Sequence, residues 1–172
     1  HTLASSEYNV RRAQCEAGVA VVLRHVGGVE SLRDVTADML DTYKGEMDEV
    51  VYRRCRYVVD ENQRLLDACA ALEKGDYVTF GQKMNGSHEG LSRQYEVSCD
   101  ELDFLADIGH RTDGVLGARM MGGGFGGCTI NLVRAEAYDG YLAEATDRFA
   151  HRFGHAPRVI EVNISQGARR IG

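Results

Sequence analysis

The chain has 172 residues, a length that fits one domain built on one hydrophobic core. Its 44% hydrophobic and 27% charged residues are ordinary for a globular protein. A net charge of −6 argues against a nucleic-acid or anionic-membrane partner, and no apolar run reaches the length of a membrane span. No signal-peptide pattern opens the chain, and His1 in place of Met predicts a processed chain or a piece of a longer one. Cys15, Cys55, Cys69, Cys99 and Cys128 are odd in number, scattered, and without the spacing of a zinc site. They predict reduced thiols, four of them packed as small hydrophobes, and a cytoplasmic setting.

Pro157 is the only proline, so long helices can run uninterrupted. Val10, Ala13, Ala17 and Ala20 recur at three- and four-residue steps and predict a helix over 6–25 with these residues as its inner face. Gly27-Gly28 stops it, and a short helix follows over 36–43. Met47, Val51, Val58, Leu65, Cys69 and Leu72 mark one stripe of a long helix over about 46–74. Gly75 suits the C′ position of that helix and Asp76 the N-cap of the next. Tyr77, Phe80, Met84 and Leu91 continue the helical period. Ser98 and Glu101 have the S-x-x-E spacing of a capping box, which predicts a helix through about residue 110.

After residue 113 the period changes to two. Residues 115–121 read as a strand; Cys128, Ile130 and Leu132 then alternate with Thr129 and Asn131. A third run places Ile160, Val162 and Ile164 against Glu161 and Asn163. Between these last two, Tyr138, Tyr141, Leu142, Ala145, Phe149 and Phe153 form a helical face, ended by Gly154 and Pro157. Helices followed by β-β-α-β predict an α+β fold: a single domain over 1–172, with a small antiparallel sheet packed against helices.

Five glycines occupy the six positions 122–127, between the first two strands. Gly122, Gly124 and Gly127 match G-x-G-x-x-G, but a dinucleotide fingerprint needs a helix after the loop and here a strand follows. A P-loop needs Gly-Lys-Ser/Thr, and Gly127 precedes Cys128. A protein-kinase glycine loop lies in a hairpin, yet its lysine strand, catalytic loop and Asp-Phe-Gly are all missing from the sequence. Two readings remain: a permissive hairpin turn, or a backbone loop pressed against a phosphate or a neighbouring phosphate-binding loop.

The other chemically able residues have plain readings. His88 suits a hydrogen-bonded helix residue better than a ligand or base. Asp100, Glu101 and Asp103 complement a helix dipole. Arg11 and Arg12 suit a salt-bridged helix face, and Arg119 a strand surface beside the loop. Arg169-Arg170 is too small for a nucleic-acid footprint.

The stretch "GARMMGGGFGGCTINLV" resembles the third conserved motif of the galactokinases, members of the GHMP family of small-molecule kinases. "HTLASSEYNVRRAQCE" is similar to the segment that opens their C-terminal half, and "MNGSHEGLSRQYEVSCDELDFL" to the helical stretch before the third motif. The resemblance covers nearly the whole chain. It implies the C-terminal domain of a longer kinase, ferredoxin-like in arrangement, which uses ATP and Mg²⁺ to phosphorylate the anomeric hydroxyl of galactose. It implies that the first motif, the second phosphate-cradling motif, the catalytic aspartate and the nucleotide-binding N-terminal domain lie upstream of His1. No catalytic or metal-binding residue is then expected within 1–172, nor tight cofactor binding or activity of this piece alone. Tyr8 matches a family tyrosine that contacts the sugar, and Gly122, Gly123, Gly124, Phe125, Gly126 and Gly127 would abut the nucleotide's phosphate end. A kinase of another sugar such as N-acetylgalactosamine, or a non-catalytic sugar and ATP sensor on the same fold, remains open. The missing N-terminal partner also implies weak self-association of the piece.

Overall fold

The computed structural model describes residues 2–162 and residue 167. In chain order its elements are helices α1 (Thr2–Leu23), α2 (Ala37–Tyr43), α3 (Glu49–Glu73), α4 (Tyr77–Arg93) and α5 (Asp100–Arg111), strands β1 (Val115–Met121) and β2 (Cys128–Val133), and helix α6 (Tyr138–Phe153). The order of helices, two strands and a helix is the one read from the sequence, but among the described residues the last strand of the expected β-β-α-β is not formed.

Local chemistry sets most of the boundaries. Thr36, Asp48 and Asp76 cap α2, α3 and α4 by accepting backbone N–H groups one turn in, and Gly75 and Gly154 take positive φ after α3 and α6. α5 departs from expectation. Its N-cap is Cys99, whose side chain makes no capping bond. Ser98 Oγ instead donates to Asp103 Oδ1 at 2.5 Å, so the expected capping box does not form: a carboxylate one turn into the helix takes the hydroxyl.

Two faces are turned from where periodicity put them. On α1, Val10, Ala13, Ala17 and Ala20 are exposed, while Arg11, Gly18 and Val22 are buried. The reason is Gly18: a Cβ there would overlap the Cys55 sulfur, so α1 meets α3 along its smallest residue. On β2, Cys128 and Ile130 are exposed, and Thr129 and Asn131 are half-buried toward the helices. Asn131 Nδ2 donates to Thr129 Oγ1 at 3.3 Å, which lets two polar side chains share that face. Of the stripe expected for the long helix, Val51 and Val58 on α3, and Met47 just before it, pack on the α1–α2 core, but Leu65, Cys69 and Leu72 face outward. Ala68 and Ala71 take the inner positions there. Cys69 and Cys128 are therefore exposed thiols rather than packed ones; all five cysteines are free.

At the α4–β1 crossing, backbone meets backbone. A Cβ on Gly81 would overlap the Leu116 carbonyl, and one on Gly117 would stand 2.6 Å from the Gly81 carbonyl oxygen. Farther along α4, a Cβ on Gly90 would stand 2.5 Å from the Tyr57 ring. α4 thus buries Gly81, Ser87, His88 and Gly90, with its apolar stripe only partly covered.

β1 and β2 pair antiparallel, from Met121 opposite Cys128 to Val115 opposite Val133, with an irregularity between Val115 and Gly117. α6 buries Tyr141, Ala145 and Phe149, the face expected of it. Residues 160–162 belong to no strand, and Ile160 and Val162 are exposed. Alternation gives a strand only where another strand takes its N–H and C=O groups. Asn163 and Ile164 of that expected run lie outside the described residues. One core cluster joins α1, α2 and α3 around Val22, Leu40 and Cys55. A second, around Val97, Leu102 and Met120, sits under the glycine loop.

Candidate functional site

The hairpin tip between β1 and β2 is built almost entirely from left-handed backbone. Gly122, Gly124, Phe125, Gly126 and Gly127 have φ of 92°, 86°, 59°, 129° and 98°. L-residues other than glycine rarely adopt such angles, so a plain two-residue turn does not account for the run. The loop has two sides. On one, Gly124 lies against the Val97 carbonyl so closely that a Cβ would overlap it, and Phe125 N–H donates to that same oxygen at 2.7 Å. The Phe125 ring packs on the Val97, Leu102 and Met120 cluster. On the other side, a Cβ on Gly122, Gly123 or Gly126 would meet nothing within 4 Å. The loop is thus anchored through Gly124 and Phe125 and open at Gly122, Gly123 and Gly126.

The anchor is itself braced. The turn at 95–97 contains Glu96 at φ 56°, strained backbone for a residue with a Cβ. Three arginines converge on it. Arg11 donates from Nε to the Tyr95 carbonyl at 2.7 Å and from Nη2 to the Glu96 carbonyl at 2.6 Å, with Nη1 on the Glu7 carboxylate at 2.8 Å. Arg53 and Arg54 reach the Glu96 carboxylate at 2.8 and 3.0 Å, and this pairing holds its pKa below the usual range. The Arg11 guanidinium carbon also lies 5.8 Å from the Phe125 ring centroid. Arg11 therefore ties α1 to the turn and the glycine loop at once.

Tyr8 sits one helical turn before Arg11 on α1 and is 61% exposed. Its phenol offers a hydroxyl and an apolar ring face to solvent at the end of α1 where Arg11 makes the tie. Of the other candidates, Arg12 pairs with Glu16 at 2.9 Å on an exposed face, as read from the sequence. Arg119 is half-buried and donates to the Met120 carbonyl at 3.1 Å. Arg11 is salt-bridged, as expected, yet buried; its two carbonyl partners lie more than eighty residues away and left no mark on the local pattern. Asp100, Glu101 and Asp103 occupy the first turn of α5, but Asp103 also accepts from Ser92 at 2.8 Å and faces His88 at 3.2 Å. Arg169 and Arg170 lie outside the described residues. Among the described residues no three His, Cys, Asp or Glu side chains converge to hold a metal ion, and no helix is long and apolar enough to cross a membrane.

Residues 68–147, which include α4, α5 and the loop, match the family described as GHMP kinases C terminal. Relatives that the chain matches include galactokinases. It is 38% identical to the galactokinase of Clostridium beijerinckii over 171 residues, 99% of this chain and 44% of the relative. It is 50% identical to that of Homo sapiens over 137 residues, 80% of this chain and 34% of the relative. A crystal structure of Lactococcus lactis galactokinase complexed with galactose superimposes with a TM-score of 0.83 at 33% identity, covering 88% of this chain and 39% of that one. The chain spans less than half the length of these relatives.

Proposed function

We propose that the chain is the C-terminal domain of an ATP-dependent galactokinase, which transfers the γ-phosphoryl group to the C1 hydroxyl of galactose. The observation that carries this reading is the two-sided loop. Its anchored residues fix the backbone, and its open residues leave a surface without Cβ atoms for phosphate oxygens to approach. Where residues of opposite hand alternate in a turn, as across Gly122, Gly123 and Gly124, successive peptide N–H groups can form a concavity suited to anions. Phosphoryl transfer depends chiefly on such positioning and on charge neutralisation. Mg²⁺ supplies the neutralisation when bound, and its ligands, the catalytic aspartate and the main phosphate cradle would come from the N-terminal domain of the intact protein. Tyr8 would contact the sugar through its hydroxyl and ring face. The outward α1 stripe of Val10, Ala13, Ala17 and Ala20 would meet the rest of the protein rather than solvent. Five free thiols fit a cytoplasmic location.

A coupled assay of the intact protein with galactose, ATP and Mg²⁺ tests the reading. Turnover is expected from the intact protein and negligible turnover from residues 1–172 alone. An intact protein that binds both ligands without forming galactose 1-phosphate would make it a sensor, and phosphorylation of N-acetylgalactosamine in preference to galactose would assign another sugar.

A further inference from the structure

Among the described residues, β1 is paired with β2 along one edge and with no strand along the other. Along its other edge, side chains from α4 and α5 occupy the place of a strand. Asn85 Oδ1 accepts from the Ala118 N–H at 2.8 Å, and His110 Nε2 lies 2.8 Å from the Ala118 carbonyl oxygen. His88 Nδ1 accepts from the Met120 N–H at 3.1 Å. The His88 contact is the last of the three before the loop, since Gly122 is two residues beyond Met120. On its far side, His88 Nε2 faces Asp103 Oδ1 at 3.2 Å, and Asp103 is held in turn by the Ser92 and Ser98 hydroxyls. Accepting at Nδ1 and donating at Nε2 requires a neutral imidazole with its one proton on Nε2.

We propose that His88 is a positioning residue for the glycine loop: by accepting the Met120 N–H it fixes the end of β1 from which residues 122–127 depart, and so fixes where the loop meets the nucleotide phosphates. The second half of that statement rests on the reading of the loop given above; the contact itself does not. Every group packed around the ring bears on its charge state. Burial opposes protonation most strongly, His110 on α5 (ring centroids 5.9 Å apart) and Arg119 on β1 oppose it further, and Asp103 favours it. The balance holds the pKa below the ordinary histidine value, so the neutral form the contact needs is the form present at neutral pH. A protonated ring would set one donor against another at Met120.

A purely structural histidine and a positioning one differ in what their loss does to the two substrates. In the intact protein, His88→Leu removes the acceptor, whereas His88→Asn offers Oδ1 close to where Nδ1 stood. His88→Leu is expected to raise the KM for ATP about tenfold and that for galactose less than about twofold, with His88→Asn recovering most of the ATP defect. Equal increases in both KM values, or His88→Asn no better than His88→Leu, would overturn the proposal. A second measurement does not depend on either variant's activity. Nitrogen-15 histidine NMR of the unmodified intact protein, with the His88 signals assigned by their loss in His88→Asn, should show a neutral ring protonated at Nε2 near pH 7. A proton on Nδ1, or an imidazolium at that pH, would sink it. An unmodified protein that fails to phosphorylate galactose refutes the functional reading instead, and the tautomer still decides the contact.

Discussion

Two clusters of glycine in this molecule answer to different demands. At the α4–β1 crossing, Gly81 and Gly117 face each other's backbones, and there is no room for a Cβ between the two elements. At the hairpin tip, Gly122, Gly123 and Gly126 have open space around them, and what sets Gly122 and Gly126 apart is a backbone turned to positive φ. One cluster is about proximity and the other about conformation. Gly124 belongs to both, with φ of 86° and the Val97 carbonyl against it. Glycine abundance is therefore no signature of a ligand loop by itself, and neither is open space, which the helix-ending Gly75 and Gly154 also have.

The difference can be broken deliberately. Gly81→Val drives branched carbons into a backbone carbonyl that cannot swing aside, and should cost more than about 3 kcal/mol in a urea titration of the intact protein. A midpoint near that of the unmodified protein would mean that α4 and β1 can separate without loss. Gly124→Ala meets the Val97 carbonyl in the same way from an unfavourable φ, and should destabilise by about 2 to 3 kcal/mol. Its kinetic defect is then inseparable from its folding defect, which makes it a poor probe of phosphate contact. Arg11→Met keeps the buried stem and strips the donors from the Tyr95 and Glu96 carbonyls, at a cost of about 2 kcal/mol. A thermal melt checks this, and an unchanged melting temperature would show the brace to be redundant. Tyr8→Phe should leave stability alone and raise the KM for galactose roughly fivefold, about 1 kcal/mol, with ATP unaffected. Equal weakening of both substrates would count against a sugar contact. Gly123→Val on the open side should also change stability by no more than about 0.5 kcal/mol. If the loop meets phosphate, its KM for ATP should nonetheless rise, and wild-type kinetics would reduce the open side to a turn.

Much of the architecture was legible because its causes are local. The Asp76 cap, Gly75, the α6 stripe and the β1–β2 hairpin each follow from residues within a turn or two of one another. The failures share a different cause. Val10, Ala13, Ala17 and Ala20 form as good a helical stripe as Arg11, Cys15, Gly18 and Val22; only Cys55, forty residues on, chooses between them. Likewise nothing near Ile160 and Val162 says whether a strand is present to receive them. The loop was found from its glycines, but its two-sidedness was not, because Val97 supplies the anchor from another segment. His88 was correctly read as hydrogen-bonded in a helix, yet its partner Met120 lies on a different element. A charged residue breaks an apolar pattern, so Arg11 was read as surface when its guanidinium had carbonyls to satisfy inside.

The Arg11 tie has a consequence for how the chain comes together. Its bonds to the Tyr95 and Glu96 carbonyls close loops of 84 and 85 residues, whereas the β1–β2 hairpin closes over its own tip. Contacts of such long separation bear the larger closure entropy and tend to form after the local ones. The hairpin and its helices should therefore assemble first, leaving the glycine loop formed but unbraced until α1 docks. The same ordering runs backwards in the native protein. Partial openings that release α1 would free the 95–97 turn and with it the Phe125 amide, long before the hairpin itself lets go. In native-state hydrogen exchange, Phe125 should then keep company with the amides of α1, at the far end of the sequence, rather than with its own neighbours in β2.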